Sequence, residues 1–121
     1  MPFVFVWGVP ESTSNAELLQ LRQSIVSSLV EAMKVDPSWV RVFFPRDLLT
    51  DPVQAEDGSH TIYMSIETGM LYGQSENDPD PKAVTQAIAK VVWQTFEGQY
   101  EVECFIGNHN PSWVSLIHTK S

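Results

Sequence analysis

The sequence predicts an α/β fold of the α+β kind: two β-α-β units forming one four-stranded sheet with two helices on one face. Three observations predict it. Short β-branched and aromatic runs, each closed by Gly or Pro, alternate with two stretches of helical periodicity. The order reads β-α-β, loop, β-α-β, tail, in two halves of nearly equal length, 1–50 and 60–121, that repeat in pattern and not in sequence. A chain of 121 residues, 43% of them apolar, can fill one core, so 1–121 reads as a single domain.

The first element is FVFVW at 3–7, bounded by Gly8 and Pro10, which reads as a strand buried on both faces. Ser14 with Glu17 three residues on is a capping box that opens a helix. Leu18, Leu21, Ile25, Leu29 and Met33 form its apolar stripe, widened by Val26 and Val30, and Asp36-Pro37 ends it. WVRVFF at 39–44 is the second strand, closed by Pro45; a helix between two strands makes them parallel.

After a polar loop at 51–60, TIYMSIE at 61–67 is the third strand. An acidic loop at 73–80 leads to Asp80-Pro81, an N-cap with proline in the first turn. Val84, Ile88, Val91, Val92 and Phe96 make the second stripe, with Gly98 as expected C-cap. YEVECFI at 100–106 is the fourth strand and WVSLI at 113–117 a short fifth. Two helices on one face leave the other sheet face bare and apolar, which predicts an oligomer with sheets packed inward and the tail on a neighbour's edge.

The net charge of −8, seven Lys and Arg against fifteen Asp and Glu, speaks against nucleic acid and anionic membranes as partners. No run approaches a membrane span, and the apolar start lacks the basic flank of a secretory leader, so a cytoplasmic protein is expected. Cys104 is the sole cysteine and reads as buried and inert. His60, His109 and His118 have no metal-ligand spacing, and glycine-rich phosphate loops are absent; neither metal nor cofactor is expected.

MPFVFVWGVP, the first helix, the exit VRVFFPRDLL and the second β-α-β unit together resemble the tautomerase superfamily, in its 4-oxalocrotonate tautomerase and macrophage migration inhibitory factor branches. The resemblance covers most of the chain. It implies a homotrimer and a catalytic proline freed by removal of Met1, here Pro2. A free N-terminal proline is a secondary amine; burial disfavours its protonated form, so it can take a proton from carbon beside a carbonyl. The other reading of Pro2 is an ordinary strand start, where its missing N–H costs nothing.

Arg41 lies mid-strand, where the resemblance implies an arginine that binds the substrate carboxylate; its other readings are an intersubunit salt bridge, or an edge strand that points Arg41 to water. Lys34 lies close to the lysine of the migration-inhibitory-factor branch, though a gapless match places Val35 there. Asn108 resembles that branch's pocket asparagine loosely, and a plain Asn-rich turn over 108–110 is its other reading. Tyr63 and Phe105 are candidate pocket walls with core packing as the alternative, and Phe3 is a further wall. VPESTS lacks the early arginine of the short tautomerases, and ETGMLYGQ lacks the arginine pair of the dehalogenase relatives.

The expected function is keto–enol isomerisation of a small α-keto acid or phenylpyruvate-like substrate. Its rival is a catalytically silent trimer that recognises a basic protein through acidic loops 51–60 and 74–80. A third reading is an unrelated ferredoxin-like module that binds a small effector.

Overall fold

The computed structural model describes residues 2–46, 60–69, 79–113 and 115–120. The two expected acidic loops lie outside the described residues, apart from His60, Pro79 and Asp80. Two β-α-β units are present: β1 (Phe3–Trp7), α1 (Asn15–Met33) and β2 (Arg41–Phe43), then β3 (Thr61–Thr68), α2 (Pro81–Thr95) and β4 (Glu101–Asn108). The sheet order is β2-β1-β3-β4. Each unit pairs its own strands in parallel, and the units join through the antiparallel β1–β3 pair. Among the described residues, no helix is long and apolar enough to cross a membrane.

The helices begin where their caps dictate. Ser14 Oγ accepts the Glu17 N–H at 3.1 Å, and its hydroxyl donates to the Glu17 carboxylate at 3.0 Å. The second half of that box is thus side chain to side chain, rather than Glu17 to the cap's backbone. Asp80 accepts the Lys82 N–H at 3.2 Å ahead of Pro81. From α1, Leu21, Ile25, Leu29 and Met33 are buried; from α2, Val84, Ile88 and Val92. They close over Val4, Val6, Val42, Ile62, Met64 and Ile66 of the sheet. Each such side chain contributes about 1.5–3 kcal/mol by leaving water, so this layer holds the fold.

Several boundaries differ from expectation. In β1 only Val4 and Val6 are buried; Phe3 and Trp7 are exposed on the opposite face, so the strand is one-sided in a single chain. The stretch at 39–44 forms a strand only over Arg41–Phe43. Asp36 accepts both the N–H and the hydroxyl of Ser38, which winds Pro37–Trp39 into a 3-10 turn instead. The same two bonds hold the Asp36 carboxyl below its ordinary range, the side-chain bond contributing most. Helix α2 ends at Thr95, before Gly98; Gly98 follows in the left-handed region with φ +72° and donates its N–H to Trp93 O. At 113–117, Pro111–Trp113 form a 3-10 turn capped by Asn110, and Leu116 and Ile117 stand exposed. No strand is formed by the described residues of that stretch.

The bare face of the sheet exists, with a mixed surface. Register places Phe43, Phe5, Ser65 and Phe105 in one row and Trp7, Tyr63 and Glu103 in the next. Phe5 stacks on Phe43 and on Trp7, with ring centroids 5.3 and 5.6 Å apart. The expectation of an uncharged face is corrected by Arg41, Glu67, Glu101 and Glu103, which share it at its margins.

Candidate active site at the Pro2 end of the sheet

Topology gathers several candidate residues at one end of the sheet. β1 and β2 both start there, and β3 and β4 both finish there, so Pro2, Arg41, Thr68 and Asn108 share that edge. Pro2 is less than 2% exposed. Its carbonyl accepts the Arg41 N–H at 3.1 Å, which extends the parallel ladder by one bond and ties the two residues together. Burial withdraws this position from water, and burial disfavours a charged amine.

Arg41 occupies an edge strand beside Phe3 and is exposed. Its Nη1 donates to the carbonyls of Ser38 and Val40, the latter at 3.1 Å. The 3-10 turn thereby holds one arm of the guanidinium. No carboxylate pairs with Arg41 among the described residues, and the planar fork keeps further donors for one.

The remaining candidates divide. Asn108 ends β4 opposite Thr68 and is exposed. Lys34 is exposed as the left-handed C-cap of α1, with φ 57° and its N–H on Val30 O. It lines a groove of about 460 Å³ between the end of α1 and the start of α2, shared with Glu31, Pro79 and Asp80. Tyr63 lies opposite Trp7, nearer the other end of the sheet. Phe105 is 51% exposed midway along the bare face. Core packing, the alternative for Tyr63 and Phe105, is therefore corrected: both stand on the bare face, and neither belongs to the buried cluster.

One constellation was not visible in the sequence. Glu67 of β3 accepts hydrogen bonds from the Ser65 hydroxyl and from His109, which follows β4. Those bonds lower the Glu67 pKa, Ser65 contributing more than His109. The carboxylate lies over Gly107, where an added Cβ would collide with Oε2. Glycine at 107 is thus a requirement of this close approach. The His109 backbone is fixed as well, its N–H donating to Thr68 O at 2.7 Å. Glu67 and His109 are 42 positions apart, and only the β3–β4 pairing joins them. Cys104 faces the helices from β4, and burial pushes its thiol up to about 12, which keeps it inert as expected.

No family model matches the chain, and no curated protein matches it. Solved structures do. Pt0534 inactivated by 2-oxo-3-pentynoate matches with a TM-score of 0.73 at 16% identity, over 94% of this chain and 91% of that one. A wild-type fused 4-OT symmetric trimer matches with a TM-score of 0.70 at 14% identity, over 99% and 94%. Macrophage migration inhibitory factor from Toxoplasma gondii matches with a TM-score of 0.66 at 13% identity, over 95% and 94%. At such identities the likeness establishes the fold: this chain shares the fold of Pt0534, the fused 4-OT and the migration inhibitory factor.

Proposed function

We propose that this chain is a tautomerase that interconverts keto and enol forms of a small α-keto acid, with Pro2 as general base once Met1 is removed. The observation that carries the reading is Pro2 itself: a buried proline opening β1, its carbonyl bonded to the Arg41 N–H, in a tautomerase fold. While Met1 is attached, the Pro2 nitrogen is an amide and cannot accept a proton. Freed, it is a secondary amine whose cationic form is disfavoured by burial, which leaves a lone pair for carbon acid chemistry near neutral pH. Arg41 binds the substrate carboxylate through the donors that Ser38 and Val40 leave open.

One structural neighbour is inactivated by 2-oxo-3-pentynoate, itself an α-keto acid, and another neighbour is a trimer; both support the reading. We place three copies in the assembly, with the aromatic faces turned inward and the site at a boundary between chains. Contributions from Phe3, Tyr63, Phe105 and Asn108 then reach a site from neighbouring chains.

A second reading is favoured by one observation. The Arg41 guanidinium is folded onto the Ser38 and Val40 carbonyls, and the early arginine of the short tautomerases has no counterpart in VPESTS. A trimer without catalysis, acting through its surface, accommodates both facts. Intact mass of the purified protein, followed by phenylpyruvate ketonisation with wild type, Pro2→Ala and Arg41→Ala, decides between them. The tautomerase reading expects loss of Met1, a drop of ~10²-fold or more in kcat for Pro2→Ala, and mainly a raised KM for Arg41→Ala. Retained Met1, or equal rates in wild type and Pro2→Ala, overturns it.

A further inference from the structure

We infer that Asp36 is a positioning residue of the substrate site: through the Pro37–Trp39 turn it holds the Arg41 guanidinium with only its Nε–Nη2 edge open, and that edge is the fork for the substrate carboxylate. The inference rests on the tautomerase reading and adds to it the residue that presets its anion clamp.

The mode of binding follows from which donors are left. A guanidinium carries two N–H groups on each Nη and one on Nε. Nη1 of Arg41 directs both of its own to backbone, at the Ser38 and Val40 carbonyls. The end-on fork between Nη1 and Nη2 is thereby closed. Nε–H and one Nη2–H remain, side by side and parallel, which is the arrangement that meets both oxygens of a carboxylate. The contacts that fold Arg41 onto the backbone thus select one bidentate mode and leave it whole. Arg41 is exposed, and no carboxylate of a described residue pairs with it.

Asp36 reaches Arg41 through the backbone, since the two form no ion pair. Oδ1 of Asp36 accepts the Ser38 N–H at 2.9 Å and the Ser38 hydroxyl at 2.7 Å. Ser38 is thereby held in the turn, and its carbonyl is the one that meets Nη1. The Trp39 N–H on Asp36 O, at 3.0 Å, and the Val40 N–H on Pro37 O, at 3.3 Å, complete the turn. Val35 and Val40 are buried on either side of it, so both ends are anchored in the core. The Arg41 N–H on Pro2 O ties down the next residue. The segment is fastened at both ends, and Asp36 sets its middle.

A loose arginine gives up rotamer freedom when it binds, whereas a preset one has done so already in the folded chain. Arg41 is exposed on an edge strand, so its order comes from these bonds rather than from packing. The substrate carboxylate keeps its charge throughout keto–enol exchange. Its contact with the fork is therefore equal in ground and transition states, and losing the preset raises KM and spares kcat. The fork serves the carboxylate in the same way whether the reacting Pro2 belongs to this chain or to a neighbouring one.

The test is ketonisation of phenylpyruvate and of its methyl ester, which lacks the anionic carboxylate, with a second readout independent of turnover. For the acid we expect Asp36→Ala to raise KM by about 2–10-fold with kcat unchanged, the effect of having to order one long side chain on binding. Asp36→Asn keeps a side-chain oxygen for both Ser38 donors and stays close to wild type. For the ester, Asp36→Ala matches wild type. In an Arg41→Ala background the loss of Asp36 has no further effect, because Asp36 acts through the guanidinium. Nitrogen-15 NMR should find rotation about the Arg41 Cζ–Nη1 bond restrained in wild type and in Asp36→Asn, and free in Asp36→Ala. A wild-type KM in Asp36→Ala while Arg41→Ala raises it overturns this inference alone. So does an equal rise for the ester, an additive effect in the double variant, or free rotation in wild type. An unchanged KM in Arg41→Ala removes the clamp and the role of Asp36 with it. A wild type without ketonisation overturns the tautomerase reading, and both assignments with it.

Discussion

Glu67 shows how one side chain can be set by three others. Ser65 and His109 donate to it, and Gly107 yields the space a Cβ would take. Bonds to the ionised form lower its pKa in the folded chain, and unfolding removes them. The folded chain therefore binds this proton less readily than the unfolded one, so the stabilisation is fully present above the unfolded value. It is lost as pH falls through the ordinary carboxylate range toward the lowered folded value. We expect chemical denaturation to show wild type more stable than Glu67→Gln at neutral pH, the gap closing on acidification. A gap that widens on acidification would show that these bonds do not favour the carboxylate.

At the scale of elements, the termini carry the local information. Lys34 caps α1 in the left-handed region, where an L residue bearing a Cβ is strained and glycine is at ease. Lys34→Gly is expected to stabilise the chain by about 0.5–1 kcal/mol, measured by denaturant melts, because relief of that strain exceeds the entropy glycine adds to the unfolded chain. The same variant leaves KM unchanged if Lys34 serves only as a cap, and raises it if the lysine meets substrate. The caps at Ser14 and Asp80 and both apolar stripes were legible because each is written within a few positions of its effect. The shortness of β2 was not, since Trp39 has strand propensity and is overruled by the Asp36–Ser38 turn that precedes it. At 113–117 a strand-like composition meets no described partner strand, and composition alone does not make a ladder. Pro2 and Arg41 were legible as candidates through the resemblance, with residue types whose chemistry suits the roles it implies. The Glu67–His109 pair was not, because nothing local to either residue points to the other.

At the scale of the whole molecule, the two faces of the sheet meet different surroundings. One is closed by α1 and α2; the other presents Phe3, Phe5, Trp7, Phe43 and Phe105. The stacked aromatic centre is rimmed by Arg41 on one edge strand and by Glu101 and Glu103 on the other. An apolar centre with a charged margin is the anatomy of an association surface, where aromatics supply contact area and charges stay at the rim. Phe105 separates association from folding. It is half-exposed in the single chain, so Phe105→Glu gives up the buried half of the ring and should lower the stability of one chain by about 1 kcal/mol, well short of unfolding it. In a trimer with aromatic faces inward, the same change places a carboxylate against apolar rings without a partner, which is costly. We expect light scattering to give wild type the mass of three 13.6 kDa chains and the variant that of one, with helix content retained. A variant that stays trimeric would move the contact away from this face. A wild type that is monomeric at micromolar concentration would remove the boundary between chains at which the proposed site is completed.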